Sequence, residues 1–481
     1  MTNHSTPYLN RNFWLLAALL VSSWLVLTAL ISDPVLNKDG MYYVDQARLY
    51  IDGGAFYESR WTLFSRFLAV FSRISGVDPY HVALIFIVLL RVLITGLIFA
   101  WLSGHQHRID MPIAFVVAVS MPWLIDYQSF LVRDTFAWVA LIVCLLLSEN
   151  WTRTQRWRWL LFMLPVVLVA VLFRTEMLVL MVVPVWLLLV YGWRRGAGFT
   201  LTVLALLLLA GSAVVFAVWD VVEGHLAAYA RVLHGASGYQ AFPSLVDALA
   251  PHVNVHAQDE LPKVLAVGLT SLPLFAVADS LGIFIVPLGY ALASAECRKR
   301  ALVDGGVSLW LMLFFFLVLL AFVFVMQFLS GRYAVPLAIC LVPWVAHGLQ
   351  QLWYSRPRLA KYIVTLAMIS AVLGSLTTTS TKYLVKDLGE FLAVRSTQFS
   401  PVFFNDARIA FYAGEPMKSA ASGALPGQGA DLSNYSSLAV AFNAEPGAAP
   451  DWLADVQEKY GFSRVAYYRQ DGEFCVALLV R

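Results

Sequence analysis

The sequence predicts an all-α polytopic membrane bundle that is followed by a small C-terminal α/β domain. Hydrophobic residues make up 60% of the 481 residues, charged residues make up 13%, and the mean hydropathy is +0.72. Soluble domains are about 45–50% apolar and about 25% charged, so this composition excludes a water-soluble enzyme and a disordered chain. The apolar runs are long and unbroken, whereas the strands of a membrane β-barrel alternate apolar and polar residues. We therefore expect membrane-crossing helices.

Eleven apolar segments are candidates for these helices, since a helix needs roughly 20 apolar residues to cross the hydrocarbon core. They are residues 13–32, 81–103, 112–128, 131–148, 158–173, 176–192, 199–219, 268–295, 307–329, 333–350 and 361–380. The first has one basic flanking residue, Arg11, and no small-residue cleavage site follows it. We interpret that segment as a retained membrane anchor.

Basic residues in the loops between these segments predict the orientation. Five alternate loops carry Arg108; Arg153, Arg156 and Arg158; Arg194 and Arg195; Arg298, Lys299 and Arg300; and Arg356, Arg358 and Lys361. Lysine and arginine concentrate in cytoplasmic loops, so these loops and the N-terminus are predicted to be cytoplasmic. An odd number of spans then puts the C-terminus on the outer side.

The long polar segments are expected on the outer side of the membrane. Loops 33–80 and 220–262 are the longest, and residues 55–75 within the first read as an amphipathic helix of the outer interface. We divide the chain into a membrane module at 1–381 and an extracytoplasmic α/β domain at 382–481. In that domain we expect strands at 401–404, 437–442, 463–469 and 473–480, and helices from 406 and at 450–460. Asp471-Gly472 is a strong hairpin signal between the last two strands.

An aspartate in the first outer loop has two interpretations. Asp39 lies a few residues beyond the first span, in the stretch Asn37-Lys38-Asp39-Gly40. It could simply cap a helix N-terminus. It could also act as a general base that is held at the membrane surface beside a lipid-borne substrate.

Isolated arginines stand in three tight outer turns, where the orientation rule does not explain them. Arg133, Arg174 and Arg332 lie in the turns 129–134, 174–176 and 330–332. A charge at the membrane boundary is costly unless it is paired or functional. Arg133 could pair with Asp134, Arg174 could pair with Glu176, and Arg332 could be an interfacial anchor. Arg91, inside the second span, is assigned no role.

Histidines and cysteines give no strong metal signal. His252 and His256 are four residues apart with Asp259 nearby, but Pro251 argues against a helix there, so a divalent metal is possible without being required. The other histidines of that loop are His225 and His234. The four cysteines, Cys144, Cys297, Cys340 and Cys475, have neither a zinc-site nor a disulfide spacing.

Four stretches of the sequence form an ordered set of motifs. They are Lys38-Asp39-Gly40 with the tyrosine, alanine and Gly53-Gly54 that follow; Arg174-Thr175-Glu176-Met177-Leu178; Gly331-Arg332-Tyr333-Ala334-Val335-Pro336; and Phe403-Phe404-Asn405-Asp406 with Ala410-Phe411-Tyr412-Ala413-Gly414. Taken together and in order, they resemble the GT-C glycosyltransferases that use polyprenyl-phosphate sugars. This superfamily includes the protein O-mannosyltransferases and the aminoarabinose transferases of lipid A.

The resemblance implies an inverting transfer of a sugar from a phospho-polyprenol to an acceptor glycan, lipid or protein at the outer face of a bacterial inner membrane. Asp39 would be the general base. Many members carry a second acid directly after it, where this chain has Gly40, so Asp45 and Asp134 are candidates for that second role. We assign a catalytic role to Asp134 beside Asp39. The donor phosphate would be bound by Arg133, Arg174 and Arg332, and the substrate by Tyr43, Asp45, Arg60, Glu176 and Tyr333. Membrane lipids are expected partners and nucleic acid is not.

Two other functions fit the same composition. A polymerase or ligase of lipid-linked glycans would depend on Arg231 or the histidines of the loop 220–262 more than on Asp39. A transporter or flippase would carry charged or broken helices at the membrane midplane. Apart from Arg91 and Asp279, the polar residues gather at the predicted outer boundary instead.

Overall fold

A computed structural model describes most of the chain. It covers residues 11–54, 56, 62–104, 109–191, 241–304, 306–377, 380–420, 432–444, 451–462 and 464–481. The predicted span 199–219 lies outside these residues. So do Arg60, His225, Arg231 and His234, and the predictions that concern them stay predictions.

The chain up to Tyr191 is almost entirely helical. Its helices are α1 (Arg11–Ser32), α2 (Lys38–Ile51), α3 (Thr62–Ser75), α4 (Pro79–Leu102), α5 (Met111–Ser120), α6 (Pro122–Asp126), α7 (Asp134–Thr154), α8 (Arg158–Phe173) and α9 (Val182–Tyr191). A 3-10 helix, Thr175–Met181, joins α8 to α9.

A second helical stretch begins at Ala241. It contains α10 (Ala241–Leu249), α11 (Leu261–Leu281), α12 (Ile285–Ala293), α13 (Ala295–Asp304), α14 (Gly306–Met326), α15 (Val335–Ser355) and α16 (Pro357–Leu376). Short 3-10 helices lie at Ala250–His252, Val255–Glu260, Gly282–Phe284 and Gly331–Tyr333.

Seven helices in the described part of the chain are long and apolar enough to cross a membrane. They are Arg11–Ser32, Pro79–Leu102, Asp134–Thr154, Gln258–Ala293, Val307–Met326, Val335–Ser355 and Pro357–Leu376. Three shorter apolar helices are Met111–Ser120, Arg158–Phe173 and Glu176–Val185. These helices are compatible with an integral membrane protein, whereas the predicted total of eleven spans and their orientation stay predictions.

Two predicted spans are interrupted. The segment 112–128 breaks between α5 and α6 because Pro122 disfavours helical backbone at the residue before it, and Met121 has a ψ of 127°. The segment 176–192 begins as the 3-10 helix Thr175–Met181 rather than as an α-helix.

One compact unit contains most of the membrane-type helices. It comprises the described residues within Met1–Thr28, Ile85–Gln128 and Val132–Leu376. Helix α15 is the most buried long helix of this unit, since 89% of an apolar stretch of 18 residues within it lies inside the protein. Helices α7, α12, α14 and α16 all pack against α15, so a residue at either end of α15 meets side chains from several helices.

The second compact unit combines the C-terminal tail with the first predicted outer loop. It comprises the described residues within Ala29–Leu84, Ser129–Leu131 and Thr377–Arg481. Its further elements are α17 (Ser380–Val394), α18 (Ser396–Phe399), β1 (Val402–Phe404), α19 (Ala407–Tyr412), β2 (Ser437–Asn443), α20 (Asp451–Tyr460), β3 (Arg464–Asp471) and β4 (Phe474–Val480). The domain boundary predicted after residue 381 thus leaves out the loop that packs with the tail.

The tail forms the small α/β fold that the sequence predicts. Its sheet has the strand order β1-β2-β4-β3, with β1 parallel to β2 and the other pairs antiparallel. Gly472 has a φ of +59° in the turn between β3 and β4, which confirms the predicted hairpin. One core is built from α17, α19 and the sheet, and another from α20 and the sheet, so the sheet is covered by helices on both sides.

Helix α19 begins at an ionic cap. Asp406 Oδ1 accepts the backbone N–H of Arg408 at 2.8 Å, and Asp406 Oδ2 lies 2.6 Å from Arg408 Nη2. Burial alone would raise the pKa of Asp406, but the hydrogen bonds and the charge of Arg408 outweigh burial and lower that pKa from its ordinary 3.8. Asp406 therefore stabilises the folded tail through its ionised form.

We predict that Asp406→Ala lowers the exchange protection of the Ala410 amide in α19 and of the Ala413 amide directly after it about fivefold at pH 7, because loss of a helix cap costs about 1 kcal/mol. A carboxyl with a depressed folded-state pKa contributes stability that is present above its unfolded pKa. The difference between wild type and variant should thus disappear as the pH falls through the folded-state pKa. Hydrogen–deuterium exchange measures this, and Asp387→Ala at an exposed site on α17 is the control. Equal protection in the two variants at pH 7 would contradict the prediction.

Candidate functional site

A cavity in the first unit has a charged end and apolar walls. Its volume is about 30 Å³, which is space for about two water molecules. The charged end is formed by Asp134, Arg174, Glu176 and Arg332, with Tyr333 beside them. The walls include Trp138, Met177, Phe315, Leu319, Phe322 and Pro336. The lining therefore offers charged partners to a small polar group and an apolar surface to a hydrocarbon chain beside it.

The charged residues all stand where helices begin or end. Asp134 is the first residue of α7. Arg174 follows α8 in extended conformation, with φ −147° and ψ 108°, and Glu176 lies in the first turn of the 3-10 helix after it. Arg332 and Tyr333 belong to the 3-10 helix that precedes α15. Charged side chains are tolerated at helix ends because they stand beyond the apolar residues of each helix.

Arg174 lies between two carboxylates. Its Nη1 is 2.7 Å from Asp134 Oδ1, and its Nε is 3.4 Å from Glu176 Oε2. Arg174 is 6% exposed and Asp134 is 2% exposed, so this pair is removed from water. The pairing of Arg174 with Glu176 that the sequence left open is present. Asp134 pairs with Arg174, which lies forty positions further along the chain.

Tyr333 connects the two arginines of the cavity. The Cζ atom of Arg174 is 4.6 Å from the centre of its ring, and that of Arg332 is 5.6 Å from it. The ring also packs against Phe322 at a centroid distance of 5.0 Å. The aromatic ring thus holds two guanidinium groups close together through cation–π contacts. With two carboxylates and two guanidinium groups, the charged lining of the cavity has a formal charge of zero.

Three further polar residues lie near this cluster and were given no role in the sequence analysis. Tyr127 is within electrostatic range of Arg332, Asp134, Asp126 and Asp279. Its hydroxyl lies 3.0 Å from the point where a Cβ at Gly331 would stand. Two sequence features could have drawn attention to these residues. Asp126 and Tyr127 are adjacent at the end of one predicted span, and Asp279 interrupts another. Neither signal shows that the two segments meet.

Asp39 belongs to the second unit and is half-buried in the first turn of α2. The helix N-terminus expected at this position is present. Asn37, the residue before α2, does not cap the helix with its side chain. Its Oδ1 instead accepts the backbone N–H of Leu131 at 2.9 Å. This bond fixes the start of α2 against the connection 129–131.

Packing explains why no second acid follows Asp39. A Cβ added at Gly40 would lie 2.9 Å from Asn37 Oδ1 and 2.9 Å from the Cβ of Leu131. Real Cβ atoms essentially never come so close to their neighbours, so any side chain at this position requires the connection 129–131 to move. Gly40 therefore permits the close approach of α2 to that connection.

The other predicted substrate contacts in the second unit have structural partners. Tyr43 is buried and packs edge-on against Phe64 of α3 at 4.9 Å. Asp45 Oδ2 accepts the backbone N–H of Met417 at 3.2 Å. Both side chains thus help to hold α2 in the second unit, and their substrate contacts stay predictions.

The predicted site residues therefore fall into two groups. Asp134, Arg174, Glu176, Arg332 and Tyr333 line one cavity, whereas Asp39, Tyr43 and Asp45 belong to the second unit. Arg133 precedes α7 and is not among the described residues that line the cavity. Within the described ranges no group of three or more histidine, cysteine, aspartate or glutamate side chains could hold a metal ion.

Comparison with known proteins adds no family. No protein-family model matches the sequence, and no curated protein matches it. The resemblance to the GT-C glycosyltransferases rests on the four motifs alone.

We predict that Asp134→Ala destabilises the protein by about 3 kcal/mol, because it removes the closer partner of the buried Arg174 and leaves only the 3.4 Å contact to Glu176. The double variant Asp134→Leu/Arg174→Met should recover most of this loss, since apolar residues can replace a buried pair at little cost. The midpoint of thermal unfolding in detergent reports both effects.

The matched control is Glu260→Ala, which breaks the exposed Lys263–Glu260 pair and should cost less than about 1 kcal/mol. If Asp134→Ala and Glu260→Ala lower the midpoint equally, the buried pair does not stabilise the bundle.

Proposed function

We propose that the chain is a membrane glycosyltransferase of the GT-C type, which moves a sugar from a polyprenyl-phosphate donor to an acceptor on the outer face of the membrane. The observation that carries this proposal is the cavity with a charged end and apolar walls among membrane-type helices. A polyprenyl phosphate has the same two parts, an anionic phosphate and a long hydrocarbon chain. The four sequence motifs support the same function, and three of the four charged cavity residues, Arg174, Glu176 and Arg332, lie within them.

The donor phosphate needs cationic partners, because negative charge grows on it as the bond to the sugar breaks. Arg174 faces the carboxylates of Asp134 and Glu176. We assign the departing phosphate chiefly to Arg332, which lines the cavity and lies in one of the four motifs. In this assignment Arg174 is a positioning residue that orients Tyr333. Asp134 and Glu176 in turn hold Arg174, so the catalytic role first given to Asp134 becomes a positioning role.

The acceptor must lose a proton as it attacks. In the proposed step the acceptor oxygen or nitrogen forms a bond to the anomeric carbon, and the bond from that carbon to the phosphate oxygen breaks. The electron pair leaves with the polyprenyl phosphate, and the proton of the acceptor passes to the Asp39 carboxylate. Attack from the face opposite the leaving group inverts the anomeric carbon. Asp39 suits this role because it is a carboxylate that is only half-buried.

We predict that Asp39→Asn lowers the transfer rate by about 10²–10⁴-fold, the usual contribution of a general base, while the protein stays folded and abundant. The assay follows radiolabelled sugar from a polyprenyl-phosphate donor to the acceptor. Lipids and glycans of a strain that lacks the gene, analysed by mass spectrometry, identify both substrates beforehand. The control is Asp52→Asn, an exposed acid at the other end of α2. Normal transfer by the Asp39 variant would remove the proposed mechanism.

Arg332 gives a second, separate prediction. Arg332→Gln should lower kcat about 100-fold, because a neutral amide compensates little of the charge that grows on the phosphate. Arg356→Gln at the opposite end of α15 is exposed and should leave the rate unchanged. An equal rate for wild type and the Arg332 variant at saturating donor would show that this guanidinium does not act on the phosphate.

A transporter of lipid-linked sugars is the second candidate, and Arg91 favours it. Arg91 is the thirteenth residue of the 24-residue α4 and is 4% exposed. None of its three guanidinium nitrogens has a hydrogen-bond partner in the part of the chain that the structure describes. Charged residues at mid-membrane often mark a transport path. Movement of a fluorescent polyprenyl phosphate across proteoliposomes without any sugar turnover would favour this function over the first.

A further inference from the structure

Helices α2 and α3 pack against each other as a helical hairpin, and α3 has an exposed apolar stripe on it. Val70, Phe71 and Ile74 are 47%, 42% and 78% exposed. Residues 70 and 74 are one helical turn apart and residue 71 lies beside them, so the three form one surface. On the opposite side of α3, Phe64 and Leu68 are buried, and the helix packs against α2. The exposed stripe is therefore not the side that holds the hairpin together.

The chain fixes α3 close to the start of a membrane-type helix. Only residues 76–78 separate Ser75 from Pro79, the first residue of α4, and an extended chain of that length spans at most about 14 Å. Ser72 Oγ donates to the carbonyl oxygen of Val77 at 2.5 Å. Asp78 pairs with Arg48 of α2 at 3.1 Å. If α4 crosses the membrane, α3 lies at the membrane boundary.

The charge of α3 suits an anionic surface. The helix contains Arg66 and Arg73 and no acidic residue. Arg73 Nη2 donates to the carbonyl oxygens of Tyr50 and Ile51 at the end of α2, so it fastens the two helices together. Arg66 is exposed and lies over the ring of Phe56 at 5.4 Å. It stands one turn before Val70, next to the apolar stripe.

We propose that α3 binds the surface of an acidic phospholipid bilayer, with Val70, Phe71 and Ile74 in the acyl boundary and Arg66 at the lipid phosphates. Apolar residues beside arginine are the pattern of helices that lie in a membrane interface. The continuity with α4 and the positive charge favour lipid over a second copy of the chain or another protein. Because Arg73 joins α3 to the end of α2, lipid binding also stabilises the helix that carries Asp39. This inference is independent of the proposed reaction.

The test uses the full chain reconstituted into vesicles. A bimane label is attached at Ile74→Cys, and the four native cysteines are all buried and react slowly. One set of vesicles contains phosphatidylcholine alone, and the other contains phosphatidylcholine with about 30% phosphatidylglycerol. Quenching by lipids brominated in the acyl chain reports lipid contact, and quenching by iodide reports water. Glu473→Cys in the hairpin between β3 and β4 is the labelled control.

We expect bromolipids to quench the label at position 74 and not at position 473. Phosphatidylglycerol should lower iodide quenching at position 74 about fivefold, the effect of one arginine at an anionic surface. Arg66→Gln should abolish this dependence on phosphatidylglycerol, and Arg66→Lys should keep it. The lysine variant separates loss of charge from failure to fold.

Three results would overturn the proposal. Strong iodide quenching at position 74 in both vesicles would show that the stripe faces water. Protection from both quenchers would show that a protein surface covers it. Lipid quenching that is equal with and without phosphatidylglycerol would remove the role of Arg66 in binding acidic lipid.

Discussion

The burial of Arg174 between Asp134 and Glu176 is the constraint on which the cavity depends. A charge in a region that water does not reach is costly unless opposite charges compensate it. The three side chains come from the start of α7 and from the connection after α8, so their pairing fixes these helix ends against each other. Through the ring of Tyr333 the same cluster reaches the start of α15. The charged end of the cavity therefore has a defined geometry before any ligand binds.

The second unit uses comparable contacts to hold the first predicted outer loop. Lys382 of α17 pairs with the buried Asp33 at 2.9 Å. The backbone N–H of Leu36 donates to the hydroxyl of Tyr412, and that of Met417 donates to Asp45. Residues on both sides of Asp39 are thus bonded to the tail. These bonds give the C-terminal domain a structural task, which is to fix the helix that carries Asp39.

Regular features of the structure could be predicted from sequence because they depend on neighbouring residues. The first span was expected at 13–32 and α1 is Arg11–Ser32, and the hairpin at Asp471-Gly472 lies where its turn residues indicate. Local patterns also located the charged turns, since each isolated arginine stands out against apolar surroundings. The break at Pro122 follows from a proline that hydropathy alone does not weigh.

Partners that are distant in sequence could not be predicted. The sequence offered the adjacent Arg133 as a partner for Asp134, and it gave no sign of the pair that Asp134 forms with Arg174. The contact of Tyr333 with two guanidinium groups likewise depends on how α8, α14 and α15 pack. The contacts of Tyr43 with Phe64 and of Asp45 with Met417 also join segments that are distant in sequence, and the sequence did not indicate them.

The tight fit at Gly40 has an evolutionary consequence. A lineage that has this arrangement gains an adjacent carboxylate only if its surroundings also shift, because Asn37 Oδ1 and the Cβ of Leu131 occupy the required space. The connection that carries Leu131 would have to be displaced together with the substitution.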